Sequence, residues 1–182
     1  MTTLQATESS RDITITTEVA SPSFDTVFKV SIALITLSVF LPVLQNGFVD
    51  WDDKIFVHNV THHGPGWSQL QRMLIGFHFG LYQPLAWMTV GHDHFLWWGD
   101  PFGHHLTNLA LHIVNAVLLY CVGLGLFSHW SPDNHSPAIW FSVAAGIAAL
   151  GFAIHPLRAE PVAWASARGE MTASVFFLLS LV

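Results

Sequence analysis

Residues 28–45 read FKVSIALITLSVFLPVLQ, and this run decides the class of the fold. A helix needs about 20 mostly apolar residues to cross the hydrocarbon core of a bilayer. The run meets that length, and its one charge, Lys29, stands at the start, where a long side chain can reach the membrane surface. It therefore predicts a first membrane span, and Pro42 predicts a kink in its last turn.

The composition supports the same class. The chain has 182 residues, of which 52% are hydrophobic and 10% are charged, whereas soluble domains carry roughly 25% charged residues. The formal net charge is −6, and Lys and Arg are not clustered. Nucleic-acid binding requires a basic surface, so we exclude nucleic acid as a partner and expect the lipid bilayer instead.

Three further apolar runs predict additional spans. They lie at about residues 105–127, 138–154 and 171–182. The last run is too short to cross a bilayer, so we expect a truncated chain, the N-terminal piece of a longer protein. The polar residues 1–26 predict a disordered tail before a transmembrane domain at 27–182.

These spans leave two long loops, 46–104 and 155–170, on one face of the membrane. The first loop is rich in Trp and predicts short amphipathic helices at 67–79 and 84–98, which lie along the interface. We prefer this to a span at 84–98, because the sequence His92-Asp93-His94 interrupts that stretch. The expected fold is thus an all-α integral membrane protein with interfacial helices in its first external loop.

An acidic cluster follows the first span directly. Phe48 to Asp53 read FVDWDD, which groups Asp50, Asp52 and Asp53 within four positions. Like charges this close repel one another unless a cation or a proton-bearing substrate relieves them. The cluster is therefore a candidate catalytic site at the membrane surface, where Asp52 and Asp53 could also hold a divalent cation. The alternative is a solvated acidic loop.

Polar residues also form a stripe on the second span. His105, Asn108, His112 and Asn115 recur at intervals of three, four and three, which places them on one helical face. Polar groups within a span face another helix or a cavity rather than lipid. We expect interhelical hydrogen bonds from His112 and Asn115. For His105 and Asn108, near the acidic loop, lining of a site and helix packing both remain open.

The second loop carries paired charges. Residues 155–170 read HPLRAEPVAWASARGE and include Arg158, Glu160, Arg168 and Glu170. Arg is suited to bidentate contact with phosphate. The alternative is a set of ion pairs at the interface, each of which contributes little to stability.

The twelve His residues raise the question of a metal or haem protein. Transmembrane haem needs paired His deep in facing helices, and the adjacent His pairs lack the spacing of zinc ligands. We expect no metal centre built from His. A His-rich metal or haem membrane protein is kept as one alternative.

Four segments carry a resemblance to a known family, and they occur in the same order and with matching spacing. They are NGFVDWDDKIFVHN (46–59), YQPLAWMTVGHD (82–93), PFGHHLTNLALHIVNAVLL (101–119) and HPLRAEPVAWASARGE (155–170). The chain resembles bacterial membrane proteins that precede tetratricopeptide repeats. These are related to the eukaryotic transmembrane-and-tetratricopeptide-repeat O-mannosyltransferases.

The resemblance implies a GT-C glycosyltransferase in the bacterial inner membrane, a multi-span helical bundle with loops 46–104 and 155–170 outside the cytoplasm. Such enzymes transfer a sugar, with inversion, from a polyprenyl-phosphate carrier to a protein or glycan acceptor. The resemblance assigns catalysis to Asp52 and Asp53. It places His155, Arg158 and Arg168 near the donor phosphate, and we add His105 and Asn108. The supporting carboxylates are Asp50, Glu160 and Glu170.

Two departures remove positive charge from the family pattern. Gln83 stands where relatives commonly have Arg, and Gly169 replaces the second member of a basic pair. An alternative function is therefore a non-catalytic membrane anchor or scaffold of a tetratricopeptide-repeat protein.

Overall fold

Helices form nearly all of the structure, a computed structural model that describes residues 22–61, 66–78, 80–129 and 138–182. The α-helices are α1 Pro22–Phe40, α2 Asp53–Thr61, α3 Trp67–Ile75, α4 Pro84–Trp97, α5 Pro101–His129, α6 Ala138–Ala153, α7 Ala159–Ala163 and α8 Arg168–Leu179. Short 3-10 turns lie at Leu41–Gln45, Pro156–Arg158 and Ala165–Ala167. Most of the predicted tail, residues 1–21, lies outside the described residues, and α1 already begins at Pro22.

Two helices are long and apolar enough to cross a membrane. They are Phe24–Gln45 and Pro101–Phe127. A third span is present if the bent pair Ile139–Ala153 and Pro156–Ala163 counts as one, because the two parts meet at 57°. Pro156 explains the break, since proline removes a backbone donor and disfavours helical geometry in the residue before it. The prediction of an all-α protein with several apolar helices is confirmed to this extent.

The long helices α1 and α6 both run antiparallel to α5. Phe28 near the start of α1 stacks on Tyr120, with ring centroids 5.9 Å apart, and Phe40 at its end meets the His112 ring edge-on at 5.2 Å. Helix α6 shares one apolar core with α1 and α5, and a Cβ built on Gly123 would lie 3.3 Å from the Cβ of Ala145. Small residues at this contact allow the backbones of α5 and α6 to approach closely.

Helix α8 runs parallel to α5, as two contacts along the pair show. The Nε of Arg168 donates to Oδ1 of Asn108, and Nδ2 of Asn115 donates to the carbonyl of Met171 at 3.1 Å. The end of α1 and the start of α8 therefore meet at the N-terminal end of α5. Both long loops lie there together.

The first loop folds into a small layer around Trp87, which is fully buried. Its core consists of Phe56, Val57, Met73, Trp87, Val90 and Ala165, so the second loop contributes one residue. Helices α3 and α4 fall within the amphipathic stretches predicted at 67–79 and 84–98. Helix α2 was not predicted, because its sequence, DKIFVHNVT, carries too weak an apolar stripe.

Candidate functional site

Asp53 ties the two loops together. Its side chain is fully buried, and Oδ1 accepts hydrogen bonds from the backbone N–H of Ser166 at 2.9 Å and from the Ser166 hydroxyl at 2.8 Å. Oδ2 accepts from the N–H of Val49 at 3.2 Å. Three donors from residues on both sides of the site therefore surround this carboxylate, which holds it in one place.

Asp52, the neighbouring residue, lies in a different environment. It is exposed and lines an open cleft of about 430 Å³ between the two loops. The cleft is lined by Asp52, Leu157, Arg158, Glu160, Pro161, Trp164, Ser166, Ala167 and Glu170. The structure thus separates the acidic pair, because one carboxylate faces the cleft while its neighbour is anchored in the protein.

Arg158 is the cation of this cleft. Its guanidinium lies over the ring of Phe152, 4.7 Å from the centroid, where the ring face attracts a cation and orients it. His155 does not line the cleft, and its Nδ1 accepts from the N–H of Leu157 at 3.2 Å. Arg158 thus lines the cleft, where an anion could reach it, whereas His155 shapes the turn that precedes it.

Arg168 is the centre of a buried polar network beside the cleft. Its Nε donates to Oδ1 of Asn108 at 2.6 Å, and its Nη2 donates to the carbonyl of His104 at 3.0 Å. Nη2 also lies 2.7 Å from Oδ2 of Asp93, with both side chains buried. Burial lowers the pKa of the Arg168 guanidinium, and the Asp93 carboxylate opposes that shift. Arg remains protonated in proteins, so the network contains a true ion pair.

Two residues predicted to line the site belong to the buried side of it. Asn108 is fully buried, and its Nδ2 donates to the carbonyl of Trp164 at 2.6 Å. His105 is also fully buried, and its ring lies 6.5 Å from that of Phe48 between the first loop and α5. Neither residue is among those that line the cleft. Asn108 thus contacts the second loop, and His105 lies beside the first.

The two departures from the family pattern meet in space. A Cβ built on Gly169 would lie 2.5 Å from Oε1 of Gln83, and the rest of the carboxamide lies within 3 Å of the same point. The side chain of Gln83 thus occupies the space that a larger residue at position 169 would need. Gln83 and Gly169 are therefore sterically compatible with each other.

The three supporting carboxylates divide between the cleft and the surface. Glu160 and Glu170 line the cleft with Asp52. Asp50 forms an exposed ion pair with Lys54, one turn further along the chain, and lies outside the cleft lining. Among the described residues, no group of three or more His, Cys, Asp or Glu side chains is placed to hold a metal ion.

Sequence reasoning missed Asp93 and Ser166. Asp93 is buried in α4, where its Oδ1 also accepts from the Thr107 hydroxyl at 2.9 Å. A carboxylate inside an otherwise apolar helix was a usable signal, because a buried charge requires a partner. Nothing in the sequence around Ser166 distinguishes it from the neighbouring small residues.

Comparison with known proteins finds similar sequences among protein O-mannosyl-transferases. The chain is 34% identical over 101 residues to Protein O-mannosyl-transferase TMTC2 of Mus musculus, across 56% of this chain and 11% of that protein. Protein O-mannosyl-transferase Tmtc3 of Drosophila melanogaster is 30% identical over 110 residues, across 56% of this chain and 12% of its own length.

A longer alignment exists with Protein O-mannosyl-transferase TMTC4 of Mus musculus, which is 26% identical over 167 residues, 85% of this chain and 22% of that protein. The chain thus spans about a tenth to a fifth of the length of these relatives. No protein-family model and no solved structure matches it. The apolar helices and these similarities together describe a helical membrane protein that resembles protein O-mannosyl-transferases.

Proposed function

We propose that the chain forms part of the active site of a membrane glycosyltransferase that moves a sugar from a polyprenyl-phosphate carrier to a protein hydroxyl. The observation that carries this proposal is the cleft at one end of the helix bundle, which brings Asp52 and Arg158 together. The names of the similar proteins support a sugar donor and a protein acceptor. We further propose a GT-C-like bundle in a bacterial inner membrane, with both loops outside the cytoplasm.

The cleft supplies the two groups that such a transfer needs. The acceptor hydroxyl attacks the anomeric carbon of the sugar, and Asp52 accepts the hydroxyl proton as the new C–O bond forms. The bond between the anomeric carbon and the phosphate oxygen breaks, and its electron pair remains on the lipid phosphate. Arg158 stabilises the negative charge of that leaving group. Attack opposite the leaving group inverts the configuration at the anomeric carbon.

Asp53 supports this chemistry from behind. Its two oxygens already accept three hydrogen bonds. Asp53 therefore fixes the start of α2 against the second loop, while the adjacent Asp52 faces the cleft. A divalent cation at Asp52 and Asp53 remains a prediction, and it would compete with the Ser166 donors for Oδ1 of Asp53. His155 belongs to the second loop, His105 packs beside Phe48 of the first and Asn108 bonds to the second, so their effect on the donor is indirect.

The decisive experiment compares Asp52→Asn with Asp50→Asn in the protein inserted in a membrane. Both changes remove one negative charge from the same acidic cluster, but Asp50 is paired with Lys54 outside the cleft. The assay follows transfer of mannose from a polyprenyl phosphate to a Ser- and Thr-containing peptide. We expect Asp52→Asn to lower kcat at least about 100-fold and Asp50→Asn to leave it nearly unchanged.

Equal activity of the two variants would contradict the assignment of Asp52. A wild-type protein that folds and inserts but transfers no sugar from such donors would favour the anchor or scaffold function instead.

A further inference from the structure

Arg168 has no route to a ligand in the cleft, although its position in the second loop suggests a phosphate-binding residue. Its side chain is fully buried, and three of its contacts are to Asn108, His104 and Asp93. Of the guanidinium nitrogens, only Nη1 lacks a hydrogen-bond partner among the described residues, and this atom is itself buried. A phosphate could reach the guanidinium only if the loop moved aside.

The network around Arg168 instead fixes the second loop against α4 and α5. Asn108 joins two points of that loop, because Oδ1 accepts from Arg168 at 2.6 Å and Nδ2 donates to the carbonyl of Trp164 at 2.6 Å. The intervening turn, Ala165–Ala167, is thus held at both ends by one side chain of α5. Asp93 holds Arg168 in place from α4.

The turn that is held in this way presents Ser166 to Asp53. Both the N–H and the hydroxyl of Ser166 donate to the same oxygen of Asp53. Trp164 and Ser166 also line the cleft, so this turn and the residue before it form part of the cleft wall. A continuous set of polar contacts therefore runs from α4 and α5, through the turn, to the residue next to Asp52.

We propose that Arg168 is a positioning residue: clamped by Asp93 and Asn108, it fixes the turn that orients Asp53 and so aims Asp52 into the cleft. This inference rests on the proposed function for its kinetic consequences. The clamp itself is a structural statement that can be tested without any sugar transfer.

The kinetic test uses Arg168→Lys and Arg168→Gln in the protein inserted in a membrane. Lys keeps the positive charge that a phosphate requires, but its single nitrogen cannot occupy both the Nε position that contacts Asn108 and the Nη2 position that contacts His104 and Asp93. We expect both variants to lower kcat at least about tenfold, with the KM for polyprenyl-phosphate mannose changed by less than about threefold. Arg72→Lys on α3, outside the cleft lining, serves as the matched control.

The opposite pattern overturns the proposal. If Arg168→Lys retains wild-type kcat while Arg168→Gln raises the KM for the donor about tenfold or more, Arg168 binds the phosphate directly.

A second measurement covers the case in which Arg168→Gln fails to fold or the protein transfers no sugar. Asn108→Ala leaves the ion pair between Arg168 and Asp93 intact. It removes the two hydrogen bonds that Asn108 makes to Arg168 and to the Trp164 carbonyl. We expect hydrogen exchange of the peptide that contains residues 164–168 to become at least about tenfold faster than in the wild type, because local opening sets that rate. Unchanged exchange in Asn108→Ala would show that the turn does not depend on the clamp, and the proposal would fail whatever the outcome for Asp52.

Discussion

Two neighbouring regions of this protein each contain an Arg and carboxylates, but one region is open to solvent and the other is buried. The cleft holds Arg158 with Asp52, Glu160 and Glu170, all in reach of solvent. The buried network holds Arg168 with Asp93, removed from water and bonded at short distances. Exposed charges remain available to a substrate, whereas buried charges are committed to each other. The protein thus places one acid–Arg set where a ligand in the cleft can reach it and buries the other beside it.

The same division appears within one dipeptide. Asp52 is exposed in the cleft, and Asp53 is buried with three hydrogen-bond donors. Adjacent residues at the start of a helix point in different directions, so the backbone that anchors one carboxylate aims the other.

Among the changes in stability, we expect the largest from Asp93→Asn in the buried network. Removal of one partner leaves Arg168 charged and uncompensated in the interior, which we expect to lower the free energy of unfolding by about 3–5 kcal/mol. Thermal unfolding of the purified protein in detergent measures this loss. Asp100→Asn is the control, because Asp100 is exposed and caps the start of α5 through the N–H of Phe102, where Asn serves equally well.

The double variant Asp93→Asn with Arg168→Gln removes both charges together. It should recover most of the stability that either single change loses, and a double variant as unstable as the sum of the singles would break the claim of a buried pair.

A smaller effect is expected from Ser166→Ala, which removes the hydroxyl donor from Asp53 but keeps the backbone N–H. Hydrogen bonds to charged groups contribute about 1.5–3 kcal/mol, so the free energy of unfolding should fall within that range. Ser38→Ala is the control, because its exposed hydroxyl donates only to the Leu34 carbonyl within α1. If the two variants are equally stable, the Ser166 hydroxyl does not stabilise Asp53, and Asp53 is solvated like Asp52.

The smallest effect concerns the cleft itself. Phe152→Leu removes the ring beneath Arg158 and with it a cation–π contact of about 0.5–1 kcal/mol. We expect the KM for the polyprenyl-phosphate donor to rise about 2- to 5-fold without loss of kcat, because Arg158 remains present but less well oriented. A fall in kcat with unchanged KM would instead assign Phe152 to the positioning network, where its ring also packs beside His112.

Much of the fold could be predicted because its signals are local. The apolar run from residue 28 to residue 45 and the longer one within α5 predict helices from length and composition alone. The break between α6 and α7 follows from Pro156. Helix α2 could not be predicted, because its stability comes from Phe56 and Val57 packing around Trp87 of α4 rather than from its own pattern.

The candidate site divides in the same way. The acidic cluster and the charged second loop were identifiable as neighbours, since both follow spans that end at one face. Their individual roles were not, because Arg158 and Arg168 are equivalent by sequence and differ only in what surrounds them. Asp93 was visible only as an interruption in an apolar stretch, and its partner lies 75 positions further along the chain.

By itself the sequence determined that this protein is helical, belongs in a membrane and carries acid and Arg side chains on two loops at one end of its spans. Those properties depend on hydropathy and spacing, which act over a few turns of one helix. Only the tertiary structure decided which carboxylate and which guanidinium face the cleft. Burial and pairing depend on side chains from α4, α5 and both loops meeting at one point, and no local pattern encodes that meeting.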